Sequence, residues 1–479
     1  MNTERRTLLR RLAALSVAAG LAGCGGPPDS DAATDRPPLP GRGDSLTEAS
    51  STPTPSTSAL LAEEWGFDTV TDVTDLGADP TGESPIDDIL AEHAGPEELL
   101  YLPSGRYLIE ETVSFAGDER IGIVGADATI VPPQGNDDTI VSFGWPEPVG
   151  NAVFAGITFD FSAEDTGGRP LLAKADNLLI EDVAVRGEAD VNQDLFRVDV
   201  TDAEGSGMVR RLFLPDGAPP DTKVTGCEVG DDNRGDVSFV DCEIDRFPDN
   251  GLYANPPKGS VHVVGGLYEN NGVAGVRIEV ADDAVVRGVH VRCDDRTRGG
   301  VNMRGIRLRA GRSVVVEDCL VEMLEVTSSD GAITFASELQ SATVRNCLIR
   351  VDAEDVNAIR MKSAANDASR AGPFVCESLT ITGTAGSGAA IEASDREGVT
   401  FRDICIYQPG TDRDGIHADH VSGEFLDSSV SVTGYPFVLN ESNLSRRNVS
   451  TREGIAESSE GDDGSCGSGG IGSDLDRDW

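Results

Sequence analysis

The chain has 479 residues, with 83 acidic against 39 basic side chains and a net charge of −44. A surface of that sign repels phosphate backbones and argues against nucleic acid as a partner. Aromatic residues make up only 5%, glycine is abundant at 55 residues, and no apolar run is long enough to span a bilayer as a helix.

The first residues read as a targeting segment rather than as fold. Arg5-Arg6-Thr7-Leu8-Leu9 is a twin-arginine signature, although Glu4 stands where Ser or Thr is more usual. A short apolar core from Leu12 to Ala22 follows, and Leu21-Ala22-Gly23-Cys24 resembles a lipoprotein cleavage site. Residues 1–23 are therefore expected to be a signal peptide. Cys24 would carry lipid on its sulfur and hold the mature protein to the extracellular face of the cell membrane. An ordinary signal peptide with a chance cysteine is the plain alternative. Only Lys174, Lys223, Lys258 and Lys362 are lysines. An acidic, lysine-poor chain resembles the proteins of salt-loving archaea; a generic acidic exported protein or a calcium binder is the other reading.

Residues 24–62 are rich in Pro, Ser, Thr and Asp and cannot build a core, so they read as a disordered stalk. The folded domain is expected over 63–452. The Gly/Ser/Asp-rich stretch 453–479 reads as a disordered tail, and its Cys466 has no assigned role. Three glycosylation triplets lie just before it: Asn440-Glu441-Ser442, Asn443-Leu444-Ser445 and Asn448-Val449-Ser450.

The domain opens on the turn-rich Asp75-Leu76-Gly77-Ala78-Asp79-Pro80-Thr81-Gly82. Pro85 to His93 then has helical spacing, with Ile86, Ile89 and Leu90 on one face and Ser84 as N-cap. Leu99 to Ile109 reads as strand, turn, strand. The Gly-Ala-Asp, Thr-Gly, paired Asp and Leu-Pro-x-Gly-x-Tyr run resembles the N-terminal part of pectate-lyase-like proteins and phage tailspikes. That resemblance implies an all-β fold, a single-stranded right-handed parallel β-helix whose open end is capped by the short helix.

An internal repeat supports this independently. In Val316-Glu317-Asp318-Cys319, Asp318 is a bend that turns a short strand and aims Cys319 inward. Matching phrases end at Ile157, Val183, Leu212, Cys242, Gly266, Val289, Cys347, Leu379 and Ile404. Their steps of about 23 to 32 residues suit solenoid coils, about a dozen in all. Arg211 and Ser378 occupy the bend where Asp, Asn or Gly is usual. Residues 186–236 fit less well, because Cys227 precedes Cys242 by too little for a full turn; Pro219 to Val229 is either an excursion or another face. Cys242, Cys319 and Cys347 exchange with Ile, Val and Leu, so they read as packing residues, although stacked Cys319 and Cys347 could bridge.

The second strand of each coil repeats a small, an apolar and a variable residue. By alternation the third faces out. Tyr253, Arg277, Arg307, Thr334, Arg360, Glu392 and His417 should thus form one outer stripe. Glu279, Arg309, Lys362 and Asp419 lie two residues further on, and Arg304 sits just before Arg307's strand pair. Arg forks grip carboxylates bidentately, so the stripe suits a uronate-type polysaccharide or envelope glycan. An ion-paired outer face with no ligand fits the same residues. The family resemblance implies a lyase chemistry that needs a base and metal-held carboxylates. Arg307, Arg360 or Lys362 would then be the base, with Glu279, Asp330, Asp414 and Asp419 as ligands for a cation such as Ca2+. Tyr253, Arg277, Arg304, Arg309, Thr334, Glu392 and His417 would contact substrate. A non-catalytic envelope or adhesion lipoprotein is the competing expectation.

Overall fold

The computed structural model describes residues 57–455 except 118–119, 191–192, 299 and 301. The twin arginines, Cys24 and Cys466 lie outside the described residues, as does most of the stretch read as a stalk. The chain divides into two units, Met1–Val70 and Thr71–Trp479. In the first, the nine-residue helix α1 (Thr57–Trp65) begins inside the stretch read as a stalk.

The second unit is a right-handed parallel β-helix, and the winding makes about 14 turns rather than a dozen. The extra turns lie at the ends, where the bend phrase is least legible. Three stacked faces make up each coil, here called sheets A, B and C. On sheet A the register runs Leu100, Ile123, Phe154, Ile180, Val209, Phe239, Val263 and Val286. It continues through Val316, Val344, Cys376, Phe401 and Phe425. Each of these side chains is 0% exposed. At roughly 1.5–3 kcal/mol for each buried large apolar side chain, this column is a main source of stability. It exists only when coils stack, so no coil is stable alone.

The corner from sheet A to sheet B is made by one left-handed residue. Gly156, Asp182, Asp241, Gly265, Gly288, Asp318, Asn346, Asp403, Asp427 and Asn448 all have φ between 50° and 68°. Arg211 and Ser378 break the composition but keep the geometry, at 53° and 52°. Each is tied to a neighbouring coil's bend residue: the Arg211 guanidinium donates to Asp182 at 2.6 Å, and the Ser378 hydroxyl to Asp403 at 3.0 Å.

Sheet C buries Val113, Val141, Leu171, Phe196, Cys227, Leu252, Val276, Ile306, Ile333, Ile359, Ile391 and Ile416 in one column. Residues 186–236 are therefore not an irregular patch. Phe196–Val200 and Cys227–Val229 are successive sheet C strands, paired Phe196 to Cys227. Cys227 and Cys242 belong to different faces, which removes the spacing problem.

Helix α2 (Asp87–His93) caps the first coils with Ile86 and Leu90, both 0% exposed. Ser84 is not its N-cap; that end carries no side-chain cap. The backbone N–H groups of Glu83 and Ser84 instead donate to the Asp79 carboxylate, both at 3.0 Å, which also accepts from Thr81. A five-residue helix, α3 (Asp367–Ala371), stands on a loop before sheet A. Cys319 and Cys347 are free buried thiols, not a bridge.

Among the described residues, two arginines are buried at 0% exposure with no carboxylate in ion-pair range. Arg396 donates to the carbonyls of Lys362 at 2.9 Å, Leu339 at 3.1 Å and Ala336 at 2.7 Å, and also to Ser369. Its guanidinium lies over the Phe374 ring, 4.8 Å from the centroid. Arg413 donates to the Gln408 side chain at 2.8 Å and to the carbonyls of Ser387 and Val356, both at 2.7 Å. Burial lowers both to a pKa of about 10, so each stays charged at neutral pH. Five N–H donors in a fixed fork allow one side chain to satisfy several corner carbonyls from different coils. Arg396→Ala would take the hydrogen-bond donor from the carbonyls of Lys362, Leu339 and Ser369, while Ala336 keeps the Leu339 N–H at 3.3 Å. It is expected to cost about 3 kcal/mol or more, read as a lowered denaturant midpoint.

Candidate functional site

The outer stripe of sheet C is in register as the alternation predicts. Tyr253, Arg277, Arg307, Thr334, Arg360, Glu392 and His417 pair strand to strand in that order. The row extends one way through Glu228 and Arg197. The second outward row is less regular. A bulge after Ile278 sets Glu279 opposite Ala310, so Arg309 is displaced from its expected neighbour.

Most of the stripe's cations have a counter-ion in the protein. Arg277 binds Glu279 at 2.7 Å and lies over the Tyr253 ring at 4.1 Å, while the Tyr253 hydroxyl donates to Glu279 at 3.1 Å. Arg360 binds Glu392 at 2.5 Å, and Arg309 binds Glu338. Asp330 is held from two sides, by Arg304 at 2.6 Å and Lys362 at 2.5 Å. Burial opposes its ionisation, but the hydrogen bonds and charges of Lys362 and Arg304 win and pull it down to about 2.

Arg307 differs. No carboxylate lies within ion-pair distance of it among the described residues. Burial, then the charges of Arg304, Arg277 and Arg309, lower its pKa to about 10, with Glu279 acting weakly the other way. Next to it in register, Thr334 is 1% exposed and its Oγ1 has no hydrogen-bond partner. A buried, unpaired hydroxyl costs about 1–3 kcal/mol, so the Arg307–Thr334 position is unsatisfied in both charge and hydrogen bonding.

The proposed metal ligands do not converge. Glu279 is occupied by Arg277 and Tyr253, and Asp330 by Arg304 and Lys362. Asp414 accepts from His417 at 2.7 Å and from the Tyr435 backbone at 2.6 Å, while Asp419 meets His420 at 3.1 Å. Among the described residues no group of three His, Cys, Asp or Glu side chains is placed to hold a metal. The donor set therefore does not fit a calcium site as it stands.

A feature the linear reading missed lies on the same face. Glu228 shares a hydrogen bond with Asp194, and Arg197 stands 3.8 Å from Glu228. Arg169 is 3.9 Å from Asp194. Arg197 is drawn off by Asp199, at 3.0 Å, which is fully buried. Burial first, then the Asp194 hydrogen bond and charge, push Glu228 up to about 8. The signal was present: Cys227-Glu228 has the apolar-then-variable order of the stripe, and only the doubtful placement of that coil hid it.

Glu228 keeps its proton in the folded protein when the unfolded chain has lost it. Between about pH 4.5 and 8 the native state holds the extra proton, so stability falls as pH rises. Glu228→Gln is expected to leave stability unchanged at pH 4 and raise it at pH 9. Urea unfolding at the two pH values checks this; equal shifts at both would contradict the assignment.

No protein-family model matches the chain, and no curated protein matches it in sequence. Several solved structures align with it. The surface adhesin PfbA of Streptococcus pneumoniae does so at 14% identity and a TM-score of 0.45, over 79% of this chain and 93% of that one. The mannuronan C-5 epimerase AlgE6 A-module of Azotobacter vinelandii aligns at 14% identity and 0.39, over 79% and 98%. The family 28 exopolygalacturonase of Yersinia enterocolitica aligns at 9% and 0.38, over 74% and 78%.

Proposed function

We propose that the outer face of sheet C binds an anionic, uronate-type polysaccharide, centred on Arg307. The observation that carries this is the one guanidinium of the stripe with no carboxylate in ion-pair range among the described residues. Its stripe neighbours Arg277 and Arg360 each have a carboxylate of their own. Arg307 sits between Arg277 and the unpaired Thr334 hydroxyl. A ligand carboxylate there would gain a bidentate partner and satisfy Thr334 at once. The surrounding protein is strongly acidic, so such a site selects by local fit rather than by long-range attraction.

Binding without turnover is the reading the pairing favours. Arg360 and Lys362 are held by Glu392 and Asp330, so neither stands free as a base. Glu279 and Asp330 are likewise spent and cannot hold a cation against a uronate. One observation supports a second reading as a polysaccharide lyase. Arg307 has a lowered pKa and, among the described residues, no carboxylate in ion-pair range, the two properties an arginine base requires.

The protein would act on the extracellular face of the cell membrane, exported through the twin-arginine route and held there by lipid on Cys24. Arg5-Arg6 and the Leu21-Ala22-Gly23-Cys24 run support this. Cys24→Ser is expected to move the protein from the membrane fraction to the medium; retention in the membrane would exclude the lipid anchor.

Titration of the intact protein with alginate and polygalacturonate tests the site. Arg307→Ala is expected to weaken binding about tenfold or more, while Arg312→Ala, at an exposed pair with Asp282, leaves it unchanged. Equal affinities for wild type and Arg307→Ala would exclude the site. Appearance of unsaturated-uronate absorbance, lost in Arg307→Ala, would favour the lyase reading.

A further inference from the structure

The two ends of the β-helix are finished differently. Helix α2 covers the first coils. The last coil consists of Phe437–Asn440 and Asn443–Arg452, and each strand pairs on one side only, with Asp414–Asp419 and Ser422–Val432. Among the described residues, no strand pairs with the far edge of either. The outer edge of a parallel strand such as Asn443–Arg452 is a template for another chain. The apolar residues beneath it are incompletely covered: Phe437, Leu439 and Val449 are only partly buried, and Tyr435 is 67% exposed.

All three glycosylation triplets fall on this coil, and no other asparagine in the chain sits in one. Asn440 ends one strand, Asn443 begins the next, and Asn448 is the left-handed corner residue at φ 53°. Each is exposed. Asn448 donates to the Asp427 side chain at 3.0 Å. The three triplets thus gather on the last described coil. Paired on one side only among the described residues, that coil opens locally at less cost than an inner coil, so its asparagines can reach a transferase.

We propose that Asn440, Asn443 and Asn448 are N-glycosylation sites whose glycans cap the open end of the β-helix and keep the protein from stacking edge to edge. In the transfer, the asparagine Nδ2 bonds to the anomeric carbon of a lipid-phosphate-linked oligosaccharide. The bond from that carbon to the phosphate oxygen breaks, the lipid phosphate leaves with the electron pair, and the amide proton passes to solvent. A hydrated glycan beside the edge strand blocks a second strand by bulk, without changing the coil itself. The cap rests on the exported location proposed above, where such donors meet folded protein.

The test uses the full chain made in a host that attaches N-glycans, and compares it with a variant carrying Asn440→Gln, Ser445→Ala and Ser450→Ala. These changes remove all three triplets but keep Asn448 at its corner. Mass spectrometry of the peptide spanning 436–452 should show glycan on the exported wild type. Light scattering should show the wild type as a monomer and the variant at twice that mass or more, rising with concentration. The same chain made in a host without the transferase should self-associate like the variant, which covers the case where the variant folds poorly. An exported protein with an unmodified peptide would overturn the modification. A glycosylated wild type with a monomeric, β-rich variant would overturn the capping role. Retention of the whole protein inside the cell would instead sink the export reading, and cell fractionation distinguishes the two.

Discussion

One backbone constraint underlies the molecule: a single left-handed residue at each corner between sheets A and B. An L-residue at positive φ costs about 1–2 kcal/mol unless it is Gly, or Asn or Asp at less cost. The corner therefore accepts few side chains, and those that fit recur coil after coil. Because all the corners share nearly one φ value, the strands on either side superpose, and apolar residues form columns rather than scattered contacts. The exceptions at Arg211 and Ser378 show what else can hold the angle. Both are bonded to the acidic corner residue of an adjoining coil, so the stack itself supplies what the side chain lacks.

That stacking also decides the electrostatics. Parallel coils place equivalent outward positions about 4.8 Å apart, close enough for charges to act on each other strongly. A row of arginines cannot persist at that spacing without partners. The protein resolves most of the conflict internally, through Glu279, Glu338, Asp330 and Glu392. Arg307 is the residue it leaves over, and Thr334 beside it has an unused hydroxyl. The site is thus defined less by how much positive charge is present than by where compensation stops.

The same arithmetic explains the buried arginines. Where corners between strands point carbonyls inward, no backbone ladder can satisfy them. Arg396 collects four such carbonyls and Arg413 two, and Arg396 reaches the Lys362 and Ala336 backbone behind the binding face. The scaffold under the stripe is therefore rigid for a reason separate from the apolar column.

The bend residues, the ladder of apolar positions and the register of the stripe were legible in the chain, because each depends on alternation and on local backbone preference. Glu228 and Asp194 escaped because the coil holding Cys227 looked too short when measured against sheet A, although it belongs to sheet C. Arg396 and Arg413 escaped because an arginine in a loop gives no sign of which way it points. The ion pairs could not be assigned either, since Asp330 finds Arg304 and Lys362 in neighbouring coils, more than 25 residues away in each direction. By itself, the sequence determined the period, the corners and which side of each strand faces out. Only the stacked structure decided which charges are spent on one another and which remains, because that depends on distances between coils that no single repeat contains.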